Sequence, residues 1–198
     1  MNNIKLFKSK LYFTATVAIA IWTLLIWDYF HGGIPSHHLF ANKELPAVSN
    51  GWGAILLPLL TWFLLSRIQK RALGNQDEYA KTPRLLLRPL YGFFSALLFG
   101  ALLSAFFTFG YADICGYMVL GLFPLAIFFP IYRAECILGF VLGMTFTFGA
   151  ILPAGFGALL SLAGLLLYRY LRPGLLYVGA RFALVGPQKS RISGNKRA

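Results

Sequence analysis

Acidic residues are scarce in this chain: 6 Asp and Glu stand against 18 Lys and Arg among 198 residues, a formal net charge of +12. Histidine occurs 3 times and cysteine twice. Two cysteines, Cys115 and Cys136, cannot form a disulfide framework. The absence of any charged residue between Cys136 and Tyr168 excludes an ordinary soluble domain over that stretch. The chain shows no internal repeat, which removes the usual mark of an inverted-repeat transporter. The middles of its apolar runs carry Thr61, Thr108, Thr145 and Thr147 but no Asp, Glu, Lys, Arg or His. Ion pathways and proton relays use such groups at mid-membrane, so their absence argues against a coupled transporter and leaves a channel or carrier for a small solute as a lesser alternative.

What is abundant is apolar surface. With 58% hydrophobic residues, 12% charged and a mean hydropathy of +0.68, the chain has more than a soluble domain of this size can bury. The basic residues flank apolar runs instead of gathering on one solvated face, so topology and anionic lipid account for the charge and nucleic acid is not expected as a partner. Lys5, Lys8 and Lys10 before an apolar run resemble a signal peptide, and Ala18-Ile19-Ala20 resembles its cleavage site, but the run continues to Trp27 and reads as an uncleaved anchor.

The apolar runs are continuous and do not alternate, which favours helices over barrel strands. The expected fold is all-α: a polytopic transmembrane helical bundle of six spans at about 11–27, 51–66, 89–110, 116–132, 136–150 and 155–171, forming a single domain over 1–186. The run from 136 to 168 would measure roughly 50 Å as one helix, too long for one crossing, so a turn is expected within Gly149 to Gly157, where Pro153 stands among glycines. Segment 174–186 reads as interfacial and 187–198 as a disordered basic tail. Both termini are placed in the cytoplasm, because all Lys and Arg except Lys43 then lie on that side, as the positive-inside rule requires. The cell (inner) membrane is the corresponding location.

Small residues recur every four positions at Gly92, Ala96, Gly100 and Ser104, and again at Gly139 and Gly143 and at Gly157 and Ser161. Such stripes let helices approach closely, either within the bundle or in a homo-oligomer. Pro58 inside the second span is expected to bend it or to free a backbone carbonyl. Ser49 or Asn50 is placed to cap that span. Arg133 and Glu135 read as a solvated pair at a short inner turn.

Polar chemistry concentrates between Trp27 and Trp52, a stretch that holds all three histidines and that the topology places outside. Asp28 and His31 stand three residues apart, on one face if the first helix continues. Gly32 and Gly33 allow a reversal, and Pro35 with Ser36 could begin a helical turn carrying His37 and His38, only one of which would then face the pair. The metal-ligand candidates are therefore Asp28, His31, His37 and His38, completed by Asp113 or Glu44. Imidazole and carboxylate ligands of this kind suit zinc, and a site with an open position would be catalytic. A metal-free alternative uses Asp28, His31 and Ser36, with histidine as general base and Ser36 or Ser49 as nucleophile. The blander reading makes the histidines interfacial anchors and the rest loop punctuation. The leading expectation is an outer-face His/Asp site acting on a lipid or membrane-proximal substrate. Its rival is a non-enzymatic scaffold or assembly factor with a membrane-protein partner.

Overall fold

The computed structural model of the chain describes residues 3–34, 36–38, 47–74 and 87–177. Six helices make up nearly all of it: α1 (Asn3–Phe30), α2 (Gly53–Gly74), α3 (Arg88–Thr108), α4 (Ala112–Phe128), α5 (Ala134–Phe148) and α6 (Ile151–Leu166). α6 runs on through a π turn at Leu167–Leu171 and stays helical to Tyr177. Between α1 and α2 a three-residue strand, β1 (Ser36–His38), pairs antiparallel with β2 (Ala47–Ser49). Four helices, α1, α2, α3 and α6 with its extension, are long and apolar enough to cross a membrane. The other two, at 17 and 15 residues, are shorter and equally apolar.

The helices overrun the apolar spans on which they were expected. α1 begins in the lysine-bearing segment and α2 continues past Arg71, because long basic side chains can lie along a helix and carry their charge to the membrane edge. Asp113 and Cys115, expected in a turn, lie in the first turns of α4. The break in the long uncharged run falls at Gly149, whose φ of +70° places it among backbone conformations that favour glycine. Pro153 then sits in the first turn of α6, where the missing N–H costs nothing. Of segment 174–186, the first four residues continue α6. The remainder of that segment, the tail 187–198, Lys43 and Glu44 lie outside the described residues.

α1 and α2 are antiparallel neighbours joined by polar contacts at both ends. Lys10 Nζ donates to Ser66 Oγ at 3.2 Å and stands over the Trp62 ring at 3.7 Å, and Gln69 donates to the Leu6 carbonyl at 2.6 Å. Further along, Trp22 Nε1 donates to the Ala54 carbonyl at 3.0 Å. That carbonyl lies four residues before Pro58, so it is the acceptor that the proline leaves without its helical donor. The expectation for Pro58 is met by this replacement bond from a neighbouring helix.

The tightest contact joins α3 to α5. Glu135 lies by Gly92, Gly139 by Phe93 and Leu97, and Gly143 by Leu97 and Ala101; the residue numbers rise together, so these two helices are parallel. A Cβ on Gly139 would overlap the Phe93 carbonyl oxygen, one on Gly143 the Leu97 carbonyl oxygen, and one on Gly100 would stand 2.7 Å from the Phe140 carbonyl oxygen. Backbone meets backbone here, and no larger residue fits. The stripe of small residues thus serves packing inside the bundle. Val141, Leu138, Phe140 and Met144 of α5 are buried, with Leu57 of α2, Leu103 of α3 and Val17, Ile21 and Leu25 of α1 around them, so α5 is the centre of the bundle.

All odd-numbered helices therefore run one way and all even-numbered helices the other. Exposed Trp27, Tyr29, Trp52, Tyr111 and Tyr117 gather at one end, and Tyr12, Tyr91 and Tyr170 at the other, in keeping with two aromatic belts. Large apolar side chains between them face outward, among them Phe146 at 80% exposure, as they would toward lipid.

Gly139→Val should destabilise the protein by about 3 kcal/mol or more, because the overpacking cannot be relieved by a rotamer change. Gly121→Ala in α4, where an added Cβ meets nothing within 4 Å, should be neutral or stabilising by about 0.5–1 kcal/mol. Thermal unfolding of both variants in detergent micelles measures the contrast.

Candidate functional site

At the Trp27 end, α1 continues to Phe30, so Asp28 lies in its last turn and His31 is the first residue beyond it, its N–H still bonded to the Trp27 carbonyl at 3.1 Å. His31 is fully committed to its own helix on one side: its ring stacks on Trp27 with centroids 3.9 Å apart at 13°, and its Nδ1 lies 2.9 Å from the Trp27 carbonyl. A carbonyl only accepts, so Nδ1 is the donor in this contact and Nε2 takes no part in it. The Asp28 carbonyl takes the backbone N–H groups of His31 and Gly33, and both Gly32 and Gly33 have positive φ, at 128° and 95°. The reversal expected there is present.

The helical turn expected at Ser36 is absent. Ser36, His37 and His38 form β1, opposite Ser49, Val48 and Ala47; the backbone gains a ladder that a single turn would not supply. Ser36 is exposed, and the side chains of His37 and His38 lie outside what the structure describes. Ser49 does cap, accepting from the Gly51 N–H at 3.2 Å, although it caps a short 3-10 turn, Asn50–Trp52, that leads into α2. Asp113 is exposed in the first turn of α4 at the same end of the bundle. Among the described residues no three His, Cys, Asp or Glu side chains come together as a metal group would require. Asp28 and His31 supply two donors of the expected kind.

The opposite end holds a constellation that the sequence did not disclose. Glu135, in the first turn of α5, is 2% exposed. Arg71, in the last turn of α2, donates through Nη2 to both of its carboxylate oxygens at 2.7 Å. The expected solvated Arg133–Glu135 pair is thereby corrected: Glu135 is buried and its partner is Arg71, on a different helix. Both ends of this bond are favoured by helix polarity, with the acid at an N-terminus and the base at a C-terminus. Gly92 makes the room, since a Cβ there would approach Glu135 Cγ at 3.0 Å and Cys136 Sγ at 3.3 Å.

Directly beside this pair lies a cavity of about 290 Å³ between α3, α4, α5 and α6. Its walls are Phe99, Leu122, Leu125, Ile137, Phe140 and Leu160, with Cys136 at the end nearest Glu135. Its two hydroxyls are already engaged: Ser95 donates to the Gly92 carbonyl at 3.2 Å and Ser161 to the Tyr132 carbonyl at 3.3 Å. The cavity therefore makes no polar demand beyond the Cys136 thiol. Ser95 of α3 and Leu125 of α4 line it and are exposed, so it reaches the lateral surface between those helices.

A signal for Glu135 existed in its isolation, as the one acid between Asp113 and the C-terminus. An acid bordering a long uncharged run must find a cation. Which of the 18 bases it finds depends on helix packing that spacing alone does not specify.

Arg71→Gln should cost about 3 kcal/mol, because it strands a buried carboxylate. Glu135→Gln should cost only about 1 kcal/mol, since Arg71, with a side chain 33% exposed, can turn to solvent. Unfolding in mixed micelles that ranks the two variants the other way would refute the assignment of Glu135 as the more buried partner. Comparison of the chain with protein-family models, with curated proteins and with solved structures returns no match.

Proposed function

We propose that this chain is a six-span inner-membrane protein, with both termini cytoplasmic, that takes an apolar chain of a membrane lipid or lipid-linked molecule into the cavity between α3 and α6. The single observation that carries the reading is that cavity: about 290 Å³, close to the lower end of small-molecule sites, apolar in its walls, with both hydroxyls satisfied and an exit between two lipid-facing helices. Water gains little in such a space, whereas a hydrocarbon chain entering from the bilayer leaves no polar group unpaired. The short helices α4 and α5 would span roughly 22–26 Å at 1.5 Å per residue, which tilt and local thinning of the bilayer accommodate.

The test is lipid retention. Protein purified in mild detergent and analysed by native mass spectrometry should keep a bound phospholipid that Leu122→Trp, which fills the cavity, loses by about tenfold, the effect of roughly 1.4 kcal/mol of lost binding. Leu125→Trp should act in the same direction. Equal retention by correctly folded forms of both variants would refute the reading.

A second reading is favoured by His31. A ligating histidine commonly donates its other ring nitrogen to a carbonyl, which fixes the tautomer and aims the free nitrogen, and His31 does so toward Trp27. Zinc held by Asp28 and His31 together with His37, His38 or Asp113 on the outer face would make the site one for metal-assisted chemistry on a membrane-proximal substrate. It predicts stoichiometric zinc by elemental analysis, lost in both His31→Ala and Asp28→Ala; a metal content unchanged by those substitutions excludes it.

A further inference from the structure

None of the residues lining the cavity is charged, but charged side chains stand beside its Cys136 end. Cys136 and Ile131 line it, and Arg133 lies on the turn between them. That turn is held against α6 by the Ser161 bond to the Tyr132 carbonyl and by the Tyr132 and Tyr168 rings, whose centroids are 5.6 Å apart. Arg172, one turn beyond, covers Tyr168 at 4.5 Å. Arg133 stands three residues before Cys136, and Arg71 bonds to Glu135, the residue next to that cysteine. The one carboxylate in this group, Glu135, is taken by Arg71, and Arg133 has no carboxylate partner among the described residues. Arg71 itself uses only Nη2 toward Glu135. The rim is thus net positive after its internal pair is satisfied, and it stands where the hydrocarbon space ends.

We infer that the cavity and this rim form one site for an anionic phospholipid, its acyl chain between α3 and α6 and its phosphate on Arg133, with the unused edge of Arg71 beside it. The inference rests on the lipid reading above and adds the class of lipid. Two considerations point the same way. A phosphate is the acceptor that an unpaired guanidinium recognises best, in a planar two-bond geometry that a zwitterionic headgroup offers less freely. The rim also belongs to the end where the positive-inside rule gathers the basic residues, so its depth corresponds to a headgroup layer and the cavity to the hydrocarbon beneath it. Arg71–Glu135 would act as a positioning pair, holding α2 to α5 so that the rim stays assembled.

The test compares phosphatidylglycerol with phosphatidylcholine of the same chains, added to delipidated full-length protein and followed by native mass spectrometry. Wild type should retain phosphatidylglycerol about fivefold better for each arginine engaged. Arg133→Gln should lose that preference while still retaining phosphatidylcholine, and Arg133→Lys should recover part of it. The preference should persist in buffer containing inorganic phosphate. Equal retention of the two lipids by wild type, or a preference untouched in Arg133→Gln, overturns the headgroup assignment and leaves the cavity reading intact. Retention of neither lipid overturns both. Disappearance of the preference in inorganic phosphate marks a free-anion site and overturns the lipid assignment.

Discussion

Helices in hydrocarbon gain nothing from hiding apolar side chains from one another, because lipid is as apolar as they are. Close packing must hold the bundle together, and here it is concentrated where α3 and α5 touch backbone to backbone through Gly100, Gly139 and Gly143. The rest is arranged around that seam. α5 becomes the buried centre, its Leu138 and Val141 almost fully enclosed; α2 and α6 pack on its remaining faces; and Gly92, at one end of the same stripe, leaves space for Glu135. The cavity is the complement of the seam. Where α3 and α5 press together there is no space, and where their other faces meet α4 and α6 a gap remains.

The two ends of the molecule solve the problem of polar groups in different ways. At the Glu135 end, charges are brought together between helices: a buried carboxylate with one arginine nitrogen, and a half-buried lysine shared by a serine and an indole ring. At the Trp27 end, polar groups are satisfied locally. His31 bonds to its own helix, Ser49 caps the turn that follows it, and the loop backbone pairs as a short ladder. Pro58 lies between these extremes, since its orphaned acceptor is met by a single indole from α1.

Much of the architecture was legible in the sequence because it depends on local rules. The run lengths gave helices, Gly149 and Pro153 marked the break before α6, and the period-four glycines marked a contact face. The destination of the Ala54 carbonyl that Pro58 frees could be stated as a need but not as a partner, because Trp22 is far away in the chain. The same limit hid the Arg71–Glu135 bond and the cavity, both made by three or four helices converging. The histidine turn failed for another reason: Pro35-Ser36 is a sound helix start in isolation, but the chain returns at Ala47–Ser49 and offers a ladder instead.

The parallel orientation of α3 and α5 bears on how such a chain is put into a membrane. Neighbours in an up-and-down bundle are ordinarily consecutive and antiparallel, and can form as a hairpin while the chain is still emerging; α1 and α2 have that character. Two parallel helices cannot, because the chain must cross back between them. The seam can close only after α4 has been laid down, and until α5 arrives the glycine face of α3 has no partner of its own. The contact that centres the bundle is thus one that no pair of consecutive helices can make by itself.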